Sequence, residues 1–261
     1  ALSDELGLDE LDRVFQAGVQ LYEEVGTYCV DTGRVVSFTR REIEEGLADA
    51  PSELMLGAGA DRAHFVHLQV DGNQEPTIFA GIQTAIFSSE AMATRIISEC
   101  ARDKCVDGVW GGVATTVEDK YDVVAGTPAE IIGYRRNIEQ MRQAVAMAGR
   151  PGLVVVNNAP RSIGTIAMVD EERGIRRSDG LPTSGVSELK VNNDDLERVA
   201  YALAAGLPIH GGHISIMGGF SGSLEGAAIV AVEAQCKSGL SIRPTWLASA
   251  SGTSTARTAT S

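Results

Sequence analysis

The chain has 261 residues, of which 44% are apolar and 22% charged, as in ordinary globular domains. Its formal net charge of −13 would repel phosphate groups, which argues against nucleic acid as a partner. The sequence has no apolar run of about 18 residues and begins with an acidic segment unlike a leader, so we expect a cytoplasmic protein without a membrane span.

Residues 1–53 predict a helical extension in front of the main domain. Apolar side chains recur at helical spacing over residues 8–25, and Gly26 is typical of the residue at which a helix ends. Gly18 lies on the same apolar face, where the missing side chain leaves room for a close neighbour. The pattern therefore predicts an amphipathic helix over residues 8–25.

A hairpin and a second helix follow in the same extension. Asp31-Thr32-Gly33 separates two β-prone runs and predicts a tight turn between two short strands. Thr39 and Glu42 have the spacing of a capping box, which predicts a helix that reaches about Asp49.

Residues 54–261 alternate between strand and helix patterns and form the predicted main domain. The predicted strands lie near residues 77–82, 108–114, 153–157, 186–191, 213–218 and 242–248. The predicted helices lie at 89–104, 128–148, 194–205 and 223–238, with Asp194 and Ser223 as their N-caps where a cap is evident. Strands that alternate with crossover helices form a parallel sheet. A TIM-type (β/α)8 barrel is favoured over a doubly wound sheet because no GxGxxG motif follows the first strand.

The predicted barrel is incomplete in this chain, because about six strands are found where a closed barrel needs eight. A sheet with two open edges pairs or aggregates, and the strand near 242–248 would expose Trp246 and Leu247. We therefore expect a homo-oligomer or a second chain that completes the barrel.

The stretch VFQAGVQLYEEVGTYCVDTGRVVSFTRREI, residues 14–43, resembles the monomethylamine:corrinoid methyltransferases. The motifs AMAGRPG (146–152), SELKV (187–191) and MGGFSGSLEG (217–226) extend the resemblance over what corresponds to about the N-terminal two-thirds of a family member. The resemblance implies a TIM barrel that transfers a methyl group from a methylamine or other N-methyl compound to a corrinoid. It also implies that the cobalamin is presented by a partner corrinoid protein, so that this chain binds no cofactor directly.

The family carries pyrrolysine on the strand after GRPG, and the resemblance implies that its imine holds the amine. Counting directly from GRPG places that position at Val156, and anchoring on Pro160 places it at Asn158. Neither side chain is an electrophile, so we expect polar contacts there and no covalent capture of the amine. The position of a family carboxylate corresponds to Gly212, which lies between His210 and His213.

The candidate site residues follow from the predicted strand ends and from this resemblance. The candidate catalytic residues are Asn158, His210, His213 and Glu188, and the candidate substrate-binding residues are Asn157, Arg161, Gly212, Gly218 and Gly219. Structural alternatives stay open for several of them, namely core histidines, a local Asn157 turn, a Glu188–Lys190 ion pair and a solvated Arg161.

A metal site is not expected, because His210 and His213 would point to opposite faces of a strand and lack further ligands. The charged segment 170–180 predicts a solvated loop, with a lid or a docking edge as the alternative. A different class of function also stays open, that of a non-catalytic or half-site subunit completed by another polypeptide. A weaker third hypothesis is a hydrolase or lyase that uses His210 and His213.

Overall fold

The computed structural model describes residues 7–68, 72–82, 85–184, 189–212, 216–219 and 221–241. Its helices are α1 (Leu8–Val25), α2 (Arg40–Asp49), α3 (Glu90–Arg102), α4 (Pro128–Met147), α5 (Ser162–Ala167), α6 (Asn193–Ala205) and α7 (Leu224–Ser241), with a 3-10 turn at Gly59–Asp61. Its strands are β1 (Thr27–Cys29), β2 (Arg34–Val36), β3 (Glu53–Leu56), β4 (Ala63–Val66), β5 (Phe79–Gly81), β6 (Gly108–Trp110), β7 (Thr116–Val117), β8 (Tyr121–Asp122), β9 (Val154–Val156), β10 (Leu181–Ser184), β11 (Lys190–Val191) and β12 (Ile209–Gly212). Among these helices, none is long and apolar enough to cross a bilayer.

The N-terminal extension has the predicted elements. Helix α1 ends at Gly26, which has a φ of 68°, and β1 pairs antiparallel with β2 across the predicted turn. The Thr39 side chain accepts from the backbone N–H of Glu42, whose carboxylate accepts from the N–H of Thr39 at 2.8 Å. The hairpin and the capping box are thus confirmed.

The extension packs against the last described helix. An ideal Cβ added to Gly18 in α1 would lie 2.5 Å from the Cβ of Val232 in α7. Val19, Tyr22 and Cys236 are fully buried in the contact between these helices. The expected role of Gly18 is therefore confirmed, because a larger residue would force α1 and α7 apart.

A three-stranded parallel sheet forms the centre of the described main domain. Strands β5, β6 and β9 are hydrogen-bonded in that order, with Phe79, Gly108 and Val154 level with one another at their first residues. The carboxyl ends of the three strands are Gly81, Trp110 and Val156. This edge of the sheet is where an α/β protein presents its ligand-binding groups.

The two faces of this sheet have different environments. Val109 and Val155 point to the outer face, where they pack with side chains of α3 and α4. Val154 and Val156 point to the inner face, as do Phe79 and Trp110. These side chains pack against the β3–β4 hairpin, which contributes Leu54, Leu56 and Phe65. Burial on both faces explains the apolar run of β9, since a side chain of this size gains about 1.5–3 kcal/mol on burial.

Two predicted strands differ in the described residues, and a third lies outside them. β11 pairs parallel with β1 of the extension, so the described part of the 186–191 prediction belongs to the N-terminal sheet. Residues 213–215 of the strand predicted at 213–218 lie outside the described residues. The described part of that prediction, residues 216–218, is not a strand, since Gly218 and the following Gly219 lie in a turn. The strand predicted at 242–248, with Trp246 and Leu247, lies outside the described residues.

Strand β10 is among the described strands that the sequence did not predict. β10 pairs parallel with β12. Its sequence, LPTS, contains a proline, and a proline ordinarily argues against a strand. The fold is therefore of the α/β class with parallel pairs, but the described residues form separate small sheets and do not show the closed (β/α)8 barrel. The boundary at residue 53 stays a prediction.

Candidate functional site

The candidate site lies at the carboxyl end of β9, in the 157–161 loop (Asn157-Asn158-Ala159-Pro160-Arg161). The Asn157 side chain is buried, and its amide nitrogen donates to Gly112 O at 3.0 Å and to Asn137 Oδ1 at 2.8 Å. Its oxygen accepts from the backbone N–H of Asn158 at 2.9 Å. Both donors of Asn157 are therefore used inside the protein, which favours its structural alternative over ligand contact.

Val156 and Asn158, the two alternative positions for the family's pyrrolysine, have different environments. Val156 is fully buried on the inner face, opposite Trp110 in the register of β6 and β9. Asn158 is half-buried, so this position keeps access to solvent.

Arg198 of α6 holds the backbone of the 157–161 loop. Its guanidinium donates to Ala159 O at 2.9 Å, to Pro160 O at 3.1 Å and to Asp195 at 3.0 Å. The Arg198 and Asp195 side chains are only about 5% exposed. The buried pair thus fixes the loop from the side of α6.

Glu130 of α4 holds the same loop from the other side. Its buried carboxylate accepts from the backbone N–H of Arg161 at 2.8 Å and of Gly126 at 2.6 Å. It therefore joins the 157–161 loop to the segment between β8 and α4. Such support from surrounding residues pre-organises a loop for binding.

Arg161 itself points away from this support. Its guanidinium pairs with Asp194 at 3.1 Å, and its side chain is 58% exposed. An exposed pair of this kind adds little stability, so the geometry favours the solvated alternative for Arg161.

A second acidic residue that the sequence analysis missed lies near the same edge. The Glu90 carboxylate at the start of α3 accepts from Arg136 at 2.9 Å, from Gln140 at 2.6 Å and from the N–H of Glu118 at 2.7 Å. These contacts lower the pKa of Glu90 against the opposing effect of its burial. The arrangement ties the β7–β8 hairpin to α3 and α4, and its signal in the sequence was a glutamate directly after an N-cap serine.

His210 lies at the other end of the strands. Its Nε2 donates to the backbone oxygen of Asp179, which precedes β10, at 2.6 Å. Its ring lies 5.8 Å from that of Phe79, the first residue of β5. The structure therefore does not bring His210 together with Asn158, which follows the last residue of β9.

The remaining candidate residues are placed only in part. Gly212 ends β12, and Gly218 donates its N–H to Gly222 O at 2.7 Å within a turn. Glu188 and His213 lie outside the described residues. The described residues contain no group of three or more potential metal ligands.

The 170–180 segment is anchored rather than freely solvated. Asp179 is 1% exposed and pairs with Arg142 of α4, which is 7% exposed. Asp170 also pairs with Arg135, at a position about one-quarter exposed. The described contacts therefore favour neither a lid nor a fully solvated loop.

We predict an acid-sensitive contribution from His210. Burial lowers the pKa of His210 below its usual value of 6.5, so the unfolded chain takes up the proton first as the pH falls below 6.5. Stability present above pH 6.5 is therefore lost below it, and His210→Gln should flatten this loss. The free energy of unfolding between pH 7.5 and pH 5 tests this, with His67→Gln, which removes an exposed imidazole, for comparison. An unchanged pH dependence in His210→Gln would contradict it.

The chain resembles known proteins over most of its length. The family model of the monomethylamine methyltransferase MtmB matches residues 6–251. Monomethylamine methyltransferase MtmB2 of Methanosarcina acetivorans is 31% identical over 226 residues, which are 86% of this chain and 49% of the relative. MtmB of Methanosarcina mazei is 30% identical over 224 residues, which are 85% of this chain and 48% of the relative.

Solved structures give the same result. The crystal structure of the Methanosarcina barkeri monomethylamine methyltransferase matches with a TM-score of 0.82 at 27% identity, over 88% of this chain and 50% of that one. The hydroxylamine complex of MtmB also matches with a TM-score of 0.82, at 26% identity. The chain spans about half the length of these relatives, so the expected two-thirds was too large.

Proposed function

This chain belongs to the monomethylamine methyltransferase MtmB family, and on that premise we propose that it takes part in methyl transfer from a methylamine or another N-methyl compound to a corrinoid protein. The observation that carries the proposal is the family match over residues 6–251, which includes the whole 157–161 loop. The cobalamin belongs to the partner protein and supplies the nucleophilic metal when that partner docks. Residues of this chain bind and orient the methyl donor.

The proposed contribution of the chain is non-covalent. Neither Val156 nor Asn158 can form an adduct with an amine, because neither an aliphatic side chain nor a carboxamide is an electrophile toward amines in water. The Asn158 amide oxygen accepts a hydrogen bond from the N–H of the donor, which orients the methyl group. The support from Arg198 and Glu130 holds the loop that carries this amide.

The proposal predicts loss of transfer in Asn158→Ala. Removal of one hydrogen bond of about 1.4 kcal/mol lowers the rate about tenfold, and we expect at least that reduction in methylation of the corrinoid protein. The measurement is the rate of corrinoid methylation with methylamine as donor. Asn193→Ala, an exposed asparagine at the start of α6, is the matched control.

Two outcomes would contradict this proposal. Full activity in Asn158→Ala would remove Asn158 from the site. A mass increase in the peptide 153–161 after incubation with methylamine or hydroxylamine would show covalent capture, against the chemistry of Val156 and Asn158.

A second proposal is a half-site subunit that acts with another polypeptide. The chain spans about half the length of each of these relatives. A homo-oligomer belongs to the same proposal. Methylation of the corrinoid protein by the purified chain without any third polypeptide, together with sedimentation of the chain as a 27.5 kDa monomer, would contradict it.

A further inference from the structure

Aromatic side chains line the inner face of the β5-β6-β9 sheet. The ring of Phe79 lies 5.8 Å from Phe65, 6.4 Å from Trp110 and 5.8 Å from His210. The inner face therefore presents several π systems side by side.

Gly108 gives the Phe79 ring its place on the sheet. An ideal Cβ at Gly108 would lie 2.4 Å from Cε1 of Phe79, so the ring lies across the strand where a side chain is missing. The ring of Trp110 meets that of Phe79 at an interplanar angle of 70°. The aromatic arrangement therefore depends on residues of strands β5 and β6, and not on a loop.

Trp110 carries an unused hydrogen-bond donor at the carboxyl edge. Trp110 is the last residue of β6 and lies between Gly81 and Val156 in the sheet. Its indole nitrogen is buried and has no acceptor among the residues that the structure describes. A buried donor without an acceptor destabilises a protein. Such a group in a native protein therefore calls for an explanation, and a bound ligand is one.

The chemistry of this donor restricts the molecule that satisfies it. A methylammonium ion has only N–H donors and offers no lone pair to the indole. An aromatic face, however, attracts an ammonium cation. A ligand that uses both features carries a methylated ammonium group and an oxygen acceptor in one small molecule.

Resting on the proposed methyl transfer, we propose that Trp110 selects N-methylated amines that also bear an oxygen acceptor. The oxygen accepts from the indole N–H, and the methylated ammonium lies against the aromatic side chains toward Asn158. Trp110 is thus a specificity-determining residue of the candidate site, with Val156 as its neighbour on β9.

A matched pair of amines tests this by isothermal titration calorimetry on the full chain. N-methylethanolamine and N-methylpropylamine carry the same charge and differ by a hydroxyl in place of a methyl group. We expect the hydroxylated amine to bind about tenfold more tightly, which corresponds to one hydrogen bond. In Trp110→Phe, which keeps an aromatic ring but removes the N–H, the difference between the two amines should vanish, while N-methylpropylamine should lose less affinity than N-methylethanolamine.

A control variant and a second assay keep the outcomes distinct. Tyr121→Phe removes a donor from an exposed aromatic ring on β8 and should preserve the tenfold difference. Equal affinity of the two amines, a preference that survives in Trp110→Phe, or no binding of either amine would each overturn the proposal. The wild-type chain could prefer the hydroxylated amine, and lose this preference in Trp110→Phe, while neither amine methylates the corrinoid protein. That result would refute the proposed methyl transfer but would support the proposed binding site.

Discussion

Replacing Arg142 with methionine is expected to lower the free energy of unfolding by about 3–5 kcal/mol, because it leaves the buried Asp179 carboxylate without its cation. Arg142 also donates to Gly174 O at 2.8 Å and to Leu153 O at 3.1 Å, so the change removes partners from two more backbone oxygens. Burial already raises the pKa of Asp179 against the effect of Arg142. The loss should be measured by urea denaturation followed by circular dichroism.

The matched control lies on the same helix. Arg135→Met breaks the partly exposed pair with Asp170 and should cost no more than about 1 kcal/mol. The double variant Arg142→Met, Asp179→Leu should recover part of the loss, because it removes the stranded charge as well. Equal losses for Arg135→Met and Arg142→Met would show that burial of the pair does not decide its energy.

Replacing Arg198 with methionine is expected to have an effect of similar size and to release the 157–161 loop. The change takes the Arg198 cation away from the buried Asp195 carboxylate and removes the donors to Ala159 O and Pro160 O, so we expect a loss of about 3–5 kcal/mol. Hydrogen exchange of the amides of Asn158, Ala159 and Arg161 measures the release directly. Their protection should fall by more than that of the central strand β9.

Arg161→Met is the control for this loop. It removes an arginine of the loop whose pair with Asp194 is largely exposed, and we expect a change in stability below about 1 kcal/mol with unchanged exchange. If Arg198→Met lowers stability without faster exchange at Asn158, then Arg198 supports the fold and not the candidate site.

The elements with strong local signals could be predicted from the sequence. Helix α1, the β1–β2 hairpin and the capping box at Thr39 depend on contacts within a few residues, and periodicity or cap chemistry reports them. The strands β10, β11 and β12 are only two to four residues long, and their partners lie far along the chain. Long-range pairing decides such strands, and a local pattern does not contain it.

The candidate site was predicted less well than the fold, for a related reason. His210 and Asn158 were both predicted near the ends of strands. The spacing of residues along the sequence does not show toward which end of the sheet a histidine side chain lies. The supporting residues were missed because charged residues are ordinarily exposed. One signal was present for Arg142, which lies on the buried stripe of α4 between Ile138 and Val145.

The close contact of α1 with α7 has a consequence for synthesis of the chain on the ribosome. Gly18 and Val232 touch across more than 200 intervening residues, so α1 leaves the ribosome long before its partner exists. At about 5–20 residues per second, this interval is on the order of 10–40 s. During that time Val19 and Tyr22, which are fully buried in the finished protein, can pack against Phe38 and against Ile43 of α2 but lack the side chains of α7. The apolar face of α1 is therefore partly exposed on the nascent chain until α7 emerges.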